Sequence, residues 1–534
     1  MKNLRATAVL VLLSLLSACA GTAQQSELRF ILRSEPKTLN PLQVEDEFSE
    51  LIRYLTGGFL VRINRATQVI VPELCETANL SRDARTLTLQ LIKGARFSDG
   101  SPFDSADVVH TFQQLLSPDL HSATGDSFRV GGSGPVVKAT GQHGVTIQFP
   151  QPVPGALRLL DQVPMLSSRS KEGIRAVLGP YMVTEQKQGA SMLLRRNPNY
   201  WRKPGPSINT LRITYQSNRE LEALAFRRGE IDLISQVSAP IWEDLQKALP
   251  QQAVDIGPSL DQEFLWFNQV TAGTKLAPQK KEWFRMTAFR KAVSLAINRP
   301  DLVRIAWRGR AVPSAGPMPP SNVMFFNKAL KPHPYDVAQA KKLLAGAGFR
   351  LDGSTLRDAR GTPVSFSILT NGGNRPREQM AALIQRDLKA IGIAVNIITL
   401  DFPALIERIT KTFDYEACLF GFVLADPDPG YQSNVWPSSA ANHQWNPRQP
   451  KPETLWEAEI DKLMLVQTTS GSQTERRNAF NRVQEILYEQ EPFLYLVHPN
   501  ALAAVSPAVQ GVRPTILRPQ LLWNIENLKV SRGK

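Results

Sequence analysis

The chain has 534 residues, of which 42% are hydrophobic and 21% are charged, a balance typical of folded rather than disordered proteins. Its length exceeds what one ordinary hydrophobic core serves, which predicts two or more lobes. The 62 Lys and Arg against 48 Asp and Glu give a net charge of +14, but these basic residues are scattered in ones and twos without interleaved aromatics, which argues against a nucleic-acid-binding protein.

The N-terminus has the pattern of an export signal. Lys2 and Arg5 precede an apolar stretch from Ala6 to Leu16, and Leu16-Ser17-Ala18-Cys19 follows at once. This tetrapeptide resembles a bacterial lipobox, in which the signal is cut before a cysteine that is then acylated. Because several acyl chains give stable membrane attachment, we expect Cys19 to carry a lipid anchor.

Residues 1–18 are thus predicted to be a lipoprotein signal peptide, and residues 19–27 a small, polar tether. An ordinary secretory peptide cut near Ala18 or Ala23, with Cys19 incidental, is the alternative. No later stretch has the length and apolarity of a membrane span. We therefore expect a body held at the membrane and facing the periplasm or the cell exterior.

Strands and helices alternate along the rest of the chain. The predicted strands are Leu28–Leu32, Thr86–Leu91, Ile231–Ile234 and Ile393–Leu400. Helices are predicted to begin at Asp104 or Ser105 and at Asp336, and to end at Gly229, Gly348 and Gly392. Helix-to-strand units of this kind indicate α/β lobes with mixed sheets.

Motifs along nearly the whole mature chain match one protein family in order. Pro72-Glu73-Leu74, Lys93–Phe103 and Ala106-Asp107-Val108-Val109 resemble the signature of family 5 extracellular solute-binding proteins. Other matching segments are Glu35–Pro41, Gly179-Pro180-Tyr181, Arg196–Trp201, Phe289–Arg299, Tyr335–Phe349, Ala425–Pro429 and Arg477–Tyr495. The family contains dipeptide-, oligopeptide-, nickel- and oligosaccharide-type receptors of ABC importers.

The resemblance implies an α/β fold of the large class II periplasmic-binding-protein type, with two lobes joined by hinge strands. Lobe I would comprise residues 28–69, 180–260 and 500–534, with residues 70–179 as an inserted subdomain and residues 261–499 as lobe II. The implied function is that of a monomer that captures a small solute, expected to be a peptide, by hinge closure and delivers it to permease subunits. A non-peptide solute such as a sugar, a metal chelate or a glycopeptide fragment is the first alternative.

The resemblance also suggests where an amine would be recognised. In peptide-binding relatives, an aspartate in the loop that matches Gly421–Pro429 pairs with the peptide ammonium. Here the alignment of Gly421-Phe422 with the family's Gly-Trp places Ala425 at that position and Asp426 one residue later. Asp426 is the expected amine ligand if the loop is shifted by one residue, and Asp428 is the second choice.

Further candidates for solute contact each have a structural alternative. Arg375 could hold a carboxylate, because a guanidinium binds one through two hydrogen bonds, or could be a surface residue at the entry to a helix. Trp436 and Phe422 could wall the cavity, and Trp266 with Asn268 could lie on a hinge-facing strand. These last four residues could equally belong to the core.

Enzyme signatures are missing from the sequence. It contains no GxSxG, HExxH or phosphate loop, and its histidines are isolated from one another. Cys75 and Cys418 could form a disulfide but are more typical of buried small hydrophobes. We expect no catalytic residue, metal or cofactor; a periplasmic hydrolase or a chaperone-like protein is the alternative from another class.

Overall fold

The structure is a computed structural model that describes residues 26–129, 132–271, 273–424 and 426–532. The predicted signal peptide, Cys19 and most of the tether lie outside the described residues, as does Ala425. Within the described ranges, no helix has both the length and the apolar character needed to cross a membrane.

The first half of the chain contributes twelve strands and six helices in the described ranges. In chain order these are β1 (Glu27–Leu32), α1 (Glu47–Thr56), β2 (Val61–Ile63), β3 (Ile70–Pro72), β4 (Cys75–Leu80), β5 (Thr86–Leu91), α2 (Ser105–Leu115), α3 (Ala123–Ser127), β6 (Val136–Ala139), β7 (Gly144–Gln148), α4 (Ala156–Leu159), β8 (Tyr181–Lys187), β9 (Ser191–Arg196), β10 (Thr210–Tyr215), α5 (Arg219–Arg227), β11 (Leu233–Ile234), α6 (Ala239–Ala248) and β12 (Ala253–Pro258).

The second half continues with a similar alternation. Its elements are β13 (Gln262–Phe267), α7 (Pro278–Arg285), α8 (Thr287–Ala296), α9 (Arg299–Asp301), β14 (Ala311–Pro313), α10 (Val337–Gly346), β15 (Arg350–Asp352), β16 (Thr355–Arg357), β17 (Ser365–Asn371), α11 (Arg375–Lys389), β18 (Ala394–Leu400), α12 (Phe402–Glu407), β19 (Ala417–Phe422), α13 (Leu455–Thr469), α14 (Gln473–Gln490), β20 (Phe493–Val505), β21 (Val509–Gln510) and β22 (Lys529–Val530).

Local chemistry accounts for the predicted elements. The alternation in β5 buries Leu87, Leu89 and Leu91 on one face, as period-2 patterning requires. Asp104 caps α2 by accepting from the backbone N–H of Ala106, and the side chain of Asp107 accepts from the backbone of Asp104. This reciprocal capping box explains why the helix begins where the sequence predicts.

One large mixed sheet links the two halves, in the order β18-β17-β19-β13-β20-β11-β1-β10-β9-β8. Strand β20 connects them because it pairs with β13 and β14 through its first part, Phe493–Pro499, and with β12 and β11 through its second, Asn500–Val505. The chain also passes from β12 to β13 beside this point. Strand β20 and the connection from β12 to β13 therefore cross between the parts of the molecule at one level.

Separate hydrophobic cores lie on either side of that level. One is built on β1, β9, β10 and α1, and a second fills the small sheet β4-β5-β7-β6 with α2 and α4. Beyond the crossing, β13, β17, β19 and β20 carry a core on each face. Because each part buries its own apolar residues, the α/β molecule has two lobes, as predicted. We call the part that contains β1, β8–β12 and the small sheet the first lobe; the chain returns to it after β20. The part that contains β13, β17 and β19 is the second lobe.

Candidate functional site

The lobes meet along a seam beside the crossing strands. Ile63, Leu260 and Leu517 from the first side pack there with the partly buried Leu424 of the second lobe. The Gln68 side-chain amide donates to the backbone oxygen of Ser321 across the seam at 2.9 Å. The two lobes are therefore in direct contact along this edge.

A pocket with about 740 Å³ of open space lies on the first-lobe side, lined by Arg33, Glu47, Glu222, Gln236 and Arg518 together with apolar residues. It sits where the parallel strands β1 and β11 end, the usual position of ligand sites in open α/β sheets. Burial raises the pKa of Glu222 to about 7.

Charged side chains continue from this pocket along the seam. Arg518 contacts Glu47 at 3.0 Å, and the Arg518 backbone oxygen accepts from Arg65 at 2.7 Å. Arg65 in turn contacts Asp161 at 2.8 Å. Asp161 lies one helical turn from Arg158, so acids and bases follow one another from the pocket to the second lobe.

Arg158 contacts Asp426 across the seam. Its Nη2 lies 2.9 Å and 3.0 Å from the two carboxylate oxygens, and the side chains are only 6% and 11% exposed. Helix α4 holds Arg158 against the small-sheet core, because Ala156 and Leu159 are buried there. Burial raises the pKa of Asp426, although Arg158 and the backbone N–H of Asp428 act to lower it.

Asp428 makes a different ion pair within the second lobe. It accepts from Arg476 Nη2 at 2.7 and 2.8 Å and from Gln467 at 3.0 Å, and it caps the turn Pro429–Gln432 through the Gly430 N–H. Burial acts to raise the pKa of Asp428, but Arg476 and these hydrogen bonds outweigh it and the pKa is lowered. Both carboxylates that the sequence singles out therefore already contact an arginine.

A group of buried polar side chains lies within the second lobe, and we call it the polar wall. Both amide atoms of Gln262 and Gln432, the Trp436 indole N–H and the Tyr495 hydroxyl have no hydrogen-bond partner within the described ranges. Tyr495 and Trp436 belong to one aromatic cluster, since the Phe493 ring lies 6.0 Å from Tyr495, 6.2 Å from Phe422 and 6.4 Å from Trp436. Gln262 pairs with Phe422 in register, and the backbone oxygen of Gln432 accepts from the Trp436 N–H. Buried polar groups normally bond to protein, water or ligand, so this wall suits a polar solute.

The other residues predicted to contact the solute differ in how deeply they are buried in the second lobe. The Trp266 indole donates to the Tyr415 hydroxyl at 3.1 Å, and the Asn268 amide donates to the Phe413 and Tyr415 backbone oxygens at 3.0 and 2.9 Å. Trp266 and Asn268 are thus held by bonds inside the second lobe. Trp436 is buried and Phe422 is half-buried beside the polar group.

Arg375 is exposed at the first position of α11. Two residues later, Arg377 is buried and contacts both oxygens of Glu263 at 2.7 and 3.0 Å. Arg377, Arg158 and Gln262 were not predicted from the sequence as site residues. The polar pair Gln262-Glu263, which opens a strand that is apolar from Phe264 to Phe267, is the one local signal that could have identified Gln262.

Other chemistries have few groups to support them. Among the described residues, no three His, Cys, Asp or Glu side chains cluster as metal ligands would. Cys75 and Cys418 are free and buried, and burial raises the pKa of the Cys75 thiol to about 11. Burial also raises the pKa of the Cys418 thiol, so both thiols stay protonated at neutral pH.

Comparison with known proteins places this geometry among binding proteins. A sequence profile of the family described as "Bacterial extracellular solute-binding proteins, family 5 Middle" matches residues 69–444. The di/tripeptide-binding protein 2 of Pseudomonas aeruginosa is 24% identical over 94% of this chain and 95% of its own length. The oligopeptide-binding protein AppA of Bacillus subtilis is also 24% identical, over 97% of this chain and 96% of its own.

Solved structures share the fold. NikA from Brucella suis, crystallised in complex with Fe(III)-EDTA, superposes with a TM-score of 0.78 over 95% of this chain and 100% of that one, at 22% identity. DppA from Helicobacter pylori, in complex with the peptide STSA, gives 0.67 over 96% and 100% at 21% identity. The similarity therefore covers both lobes and not one domain.

Proposed function

Because the chain belongs to the bacterial extracellular solute-binding proteins of family 5, we propose that it is the substrate-binding component of an ABC importer and that its solute is a peptide. The observation that carries the peptide assignment is the wall of buried amide, indole and hydroxyl groups around Gln262 and Gln432. A primary amide offers both donors and acceptors, which match peptide N–H and C=O groups whatever the side chains. The names of the di/tripeptide- and oligopeptide-binding relatives support the same class.

For this function we propose the lobe boundaries that were predicted from the sequence. Lobe I is taken as residues 28–69, 180–260 and 500–534, with the insertion at 70–179 and lobe II at 261–499. The boundaries at 260 and 499 fall beside the crossing of β12–β13 and of β20. Rotation about these strands would open the seam, and a solute that contacts both lobes would favour the closed form.

Within the closed cleft we assign Asp426, with Asp428 as the second choice, to the peptide ammonium, and Arg375 to a carboxylate. Trp436 and Phe422 wall the site, while Trp266 and Asn268 shape it from within the second lobe. A buried ammonium needs a carboxylate, because an unpaired charge in a closed cavity is costly. Asp426 is reached from the seam, whereas Asp428 is enclosed by Arg476 and Gln467.

A solute without a free ammonium is the second candidate. The observation that favours it is the contact of Arg158 with Asp426, which already supplies that carboxylate with a cation. A sugar, a metal chelate or a blocked peptide would leave this contact in place.

The direct test is the identity of the solute carried by the purified protein. We expect mass spectrometry of material released by denaturation to find peptides, and calorimetry to show that the same peptides bind to the emptied protein. Solutes without a peptide bond would contradict the assignment. Small-angle scattering should show a smaller radius of gyration once the identified solute saturates the protein; an unchanged curve would count against closure.

We also propose that Cys19 anchors the protein to the membrane, on the lipobox resemblance of residues 16–19. Cys19→Ala should move the protein from the membrane fraction to the soluble fraction, because acyl chains would then be absent. A processed Cys19→Ala protein that stays in the membrane fraction would refute the anchor.

A further inference from the structure

Arg158 and Asp426 belong to a group of charges that is already balanced. The carboxylates of Asp426 and Asp428 lie two residues apart, and each is contacted by one guanidinium, Arg158 or Arg476. All four side chains are at least 89% buried, with exposures of 11, 3, 6 and 8% in that order. The group is therefore neutral as folded.

A ligand ammonium at Asp426 would add a third cation to this enclosed group. Desolvating an extra charge beside two guanidinium groups is unfavourable, since like charges repel strongly where water is excluded. Arg476 cannot leave, because its Nε also donates to the Gln467 backbone oxygen at 2.7 Å within the same lobe. Arg158 can leave, because it reaches Asp426 from the opposite lobe and is separated from it whenever the lobes move apart.

We propose that Arg158 is a specificity-determining residue that occupies Asp426 as a substitute cation and competes with the ammonium group of the ligand. This inference rests on the proposed peptide function and names the residue that tunes it. In the wild type, a free-amine peptide must displace Arg158 from Asp426, whereas a peptide with a blocked amine leaves the contact intact. Arg158 thus lowers the preference for free amines that Asp426 would otherwise give.

The test compares trialanine with N-acetyl-trialanine on variants of Arg158 by calorimetry. Arg158→Met keeps the aliphatic stem and removes the charge. It should raise the ratio of the N-acetyl dissociation constant to the free-amine one by at least about tenfold, in line with the coupling of close charge pairs. Arg158→Lys retains a cation and should keep the wild-type ratio.

Two further variants separate competition from a general effect on the fold. Adding Asp426→Asn to Arg158→Met should abolish the gain, because the freed carboxylate is then gone. Arg169→Met removes another arginine of the same subdomain, which contacts Asp104 at 2.7 Å, and should leave the ratio unchanged.

The possible failures are distinguishable. A ratio that is unchanged in Arg158→Met, with both peptides bound, overturns the competition and leaves the peptide function standing. The same holds if the gain survives Asp426→Asn. If neither peptide binds any variant, the proposed peptide function fails, and the inference fails with it.

Discussion

Asp426 and Asp428 carry the same carboxylate two residues apart, yet the structure uses them differently. Asp428 is bound by Arg476 and Gln467 inside one lobe, so its partner stays in place in every position of the lobes. Asp426 is bound by Arg158 across the seam, so its partner is present only when the lobes touch. We expect the first pair to support folding and the second to depend on the proposed closure of the lobes, although both look alike as ion pairs.

The largest expected effect is the loss of the pair within the lobe. Asp428→Asn keeps the shape of the side chain but leaves the Arg476 charge buried without a counterion, which should lower the free energy of unfolding by about 3–5 kcal/mol. Denaturant unfolding of the ligand-free protein measures this. Asp352→Asn is the control, because Asp352 forms an exposed pair with Arg357 and should cost less than about 1 kcal/mol. A loss as small as the control would contradict the supporting role of Asp428.

Asp261 adds a third acid that has no close ion pair in the described residues, and it lies beside the crossing strands. Burial raises its pKa to about 6, helped by Glu263 and opposed by Arg518. Because the folded pKa of Asp261 lies above the unfolded value near 4, the folded state favours the protonated carboxyl over the carboxylate. Stability should therefore fall as pH rises from about 4 to about 6, by about 2 kcal/mol after allowance for partial solvent exposure.

The pH prediction is tested by the difference between the wild type and Asp261→Asn. Asparagine cannot ionise, so the variant should gain stability relative to the wild type as pH rises from 4 to 7. Parallel stability curves would show that Asp261 does not carry this titration. Using the difference removes the contributions of other groups, such as Glu222 with its pKa of about 7.

The pair across the seam should matter less for unfolding. In Asp426→Asn, Arg158 loses its carboxylate, but the lobes can separate and let water reach the guanidinium. We expect a loss of about 1 kcal/mol at most in the free energy of unfolding. Small-angle scattering of the ligand-free protein should instead show a larger radius of gyration. A loss as large as that of Asp428→Asn, with unchanged scattering, would remove the distinction between the two pairs.

The sequence could predict the fold because its signals are local and repeated. The alternation of β5, the capping box of α2 and the ordered family motifs each constrain a short segment. Together they indicate two α/β lobes. Strand β20 was harder to foresee as one continuous strand, because His498-Pro499-Asn500 interrupts its apolar residues at the point where its partners change from β13 and β14 to β12.

The site could be predicted only in part, because its contacts join residues that are far apart in sequence. Arg158 meets Asp426 across 268 positions, and no local pattern in Gly155–Asp161 marks that arginine. The loop at Asp426 was identified through its departure from the family motif. Its partner, and the different partner of Asp428, follow from packing that a single sequence does not encode in any one segment.

The smallest expected effect concerns a neutral residue on the same wall. Gln262 is 1% exposed, and neither of its amide atoms has a partner in the described residues. If the Gln262 amide forms hydrogen bonds only with the solute, it is unsatisfied in the ligand-free protein and lowers the free energy of unfolding, since an unsatisfied buried polar group is costly. Gln262→Leu, which is similar in volume, should therefore raise the free energy of unfolding by about 0.5–1 kcal/mol while weakening peptide binding.

The opposite signs of these two changes distinguish a binding residue from a packing residue. Denaturant unfolding and calorimetry on the same preparation measure both, and Leu265→Ile on the opposite face of β13 is the matched control. That variant should lower stability slightly, by less than about 1.5 kcal/mol, and leave binding unchanged. If Gln262→Leu loses stability and keeps its affinity, the amide is part of the core. The wall of unpaired polar groups would then no longer support a peptide site.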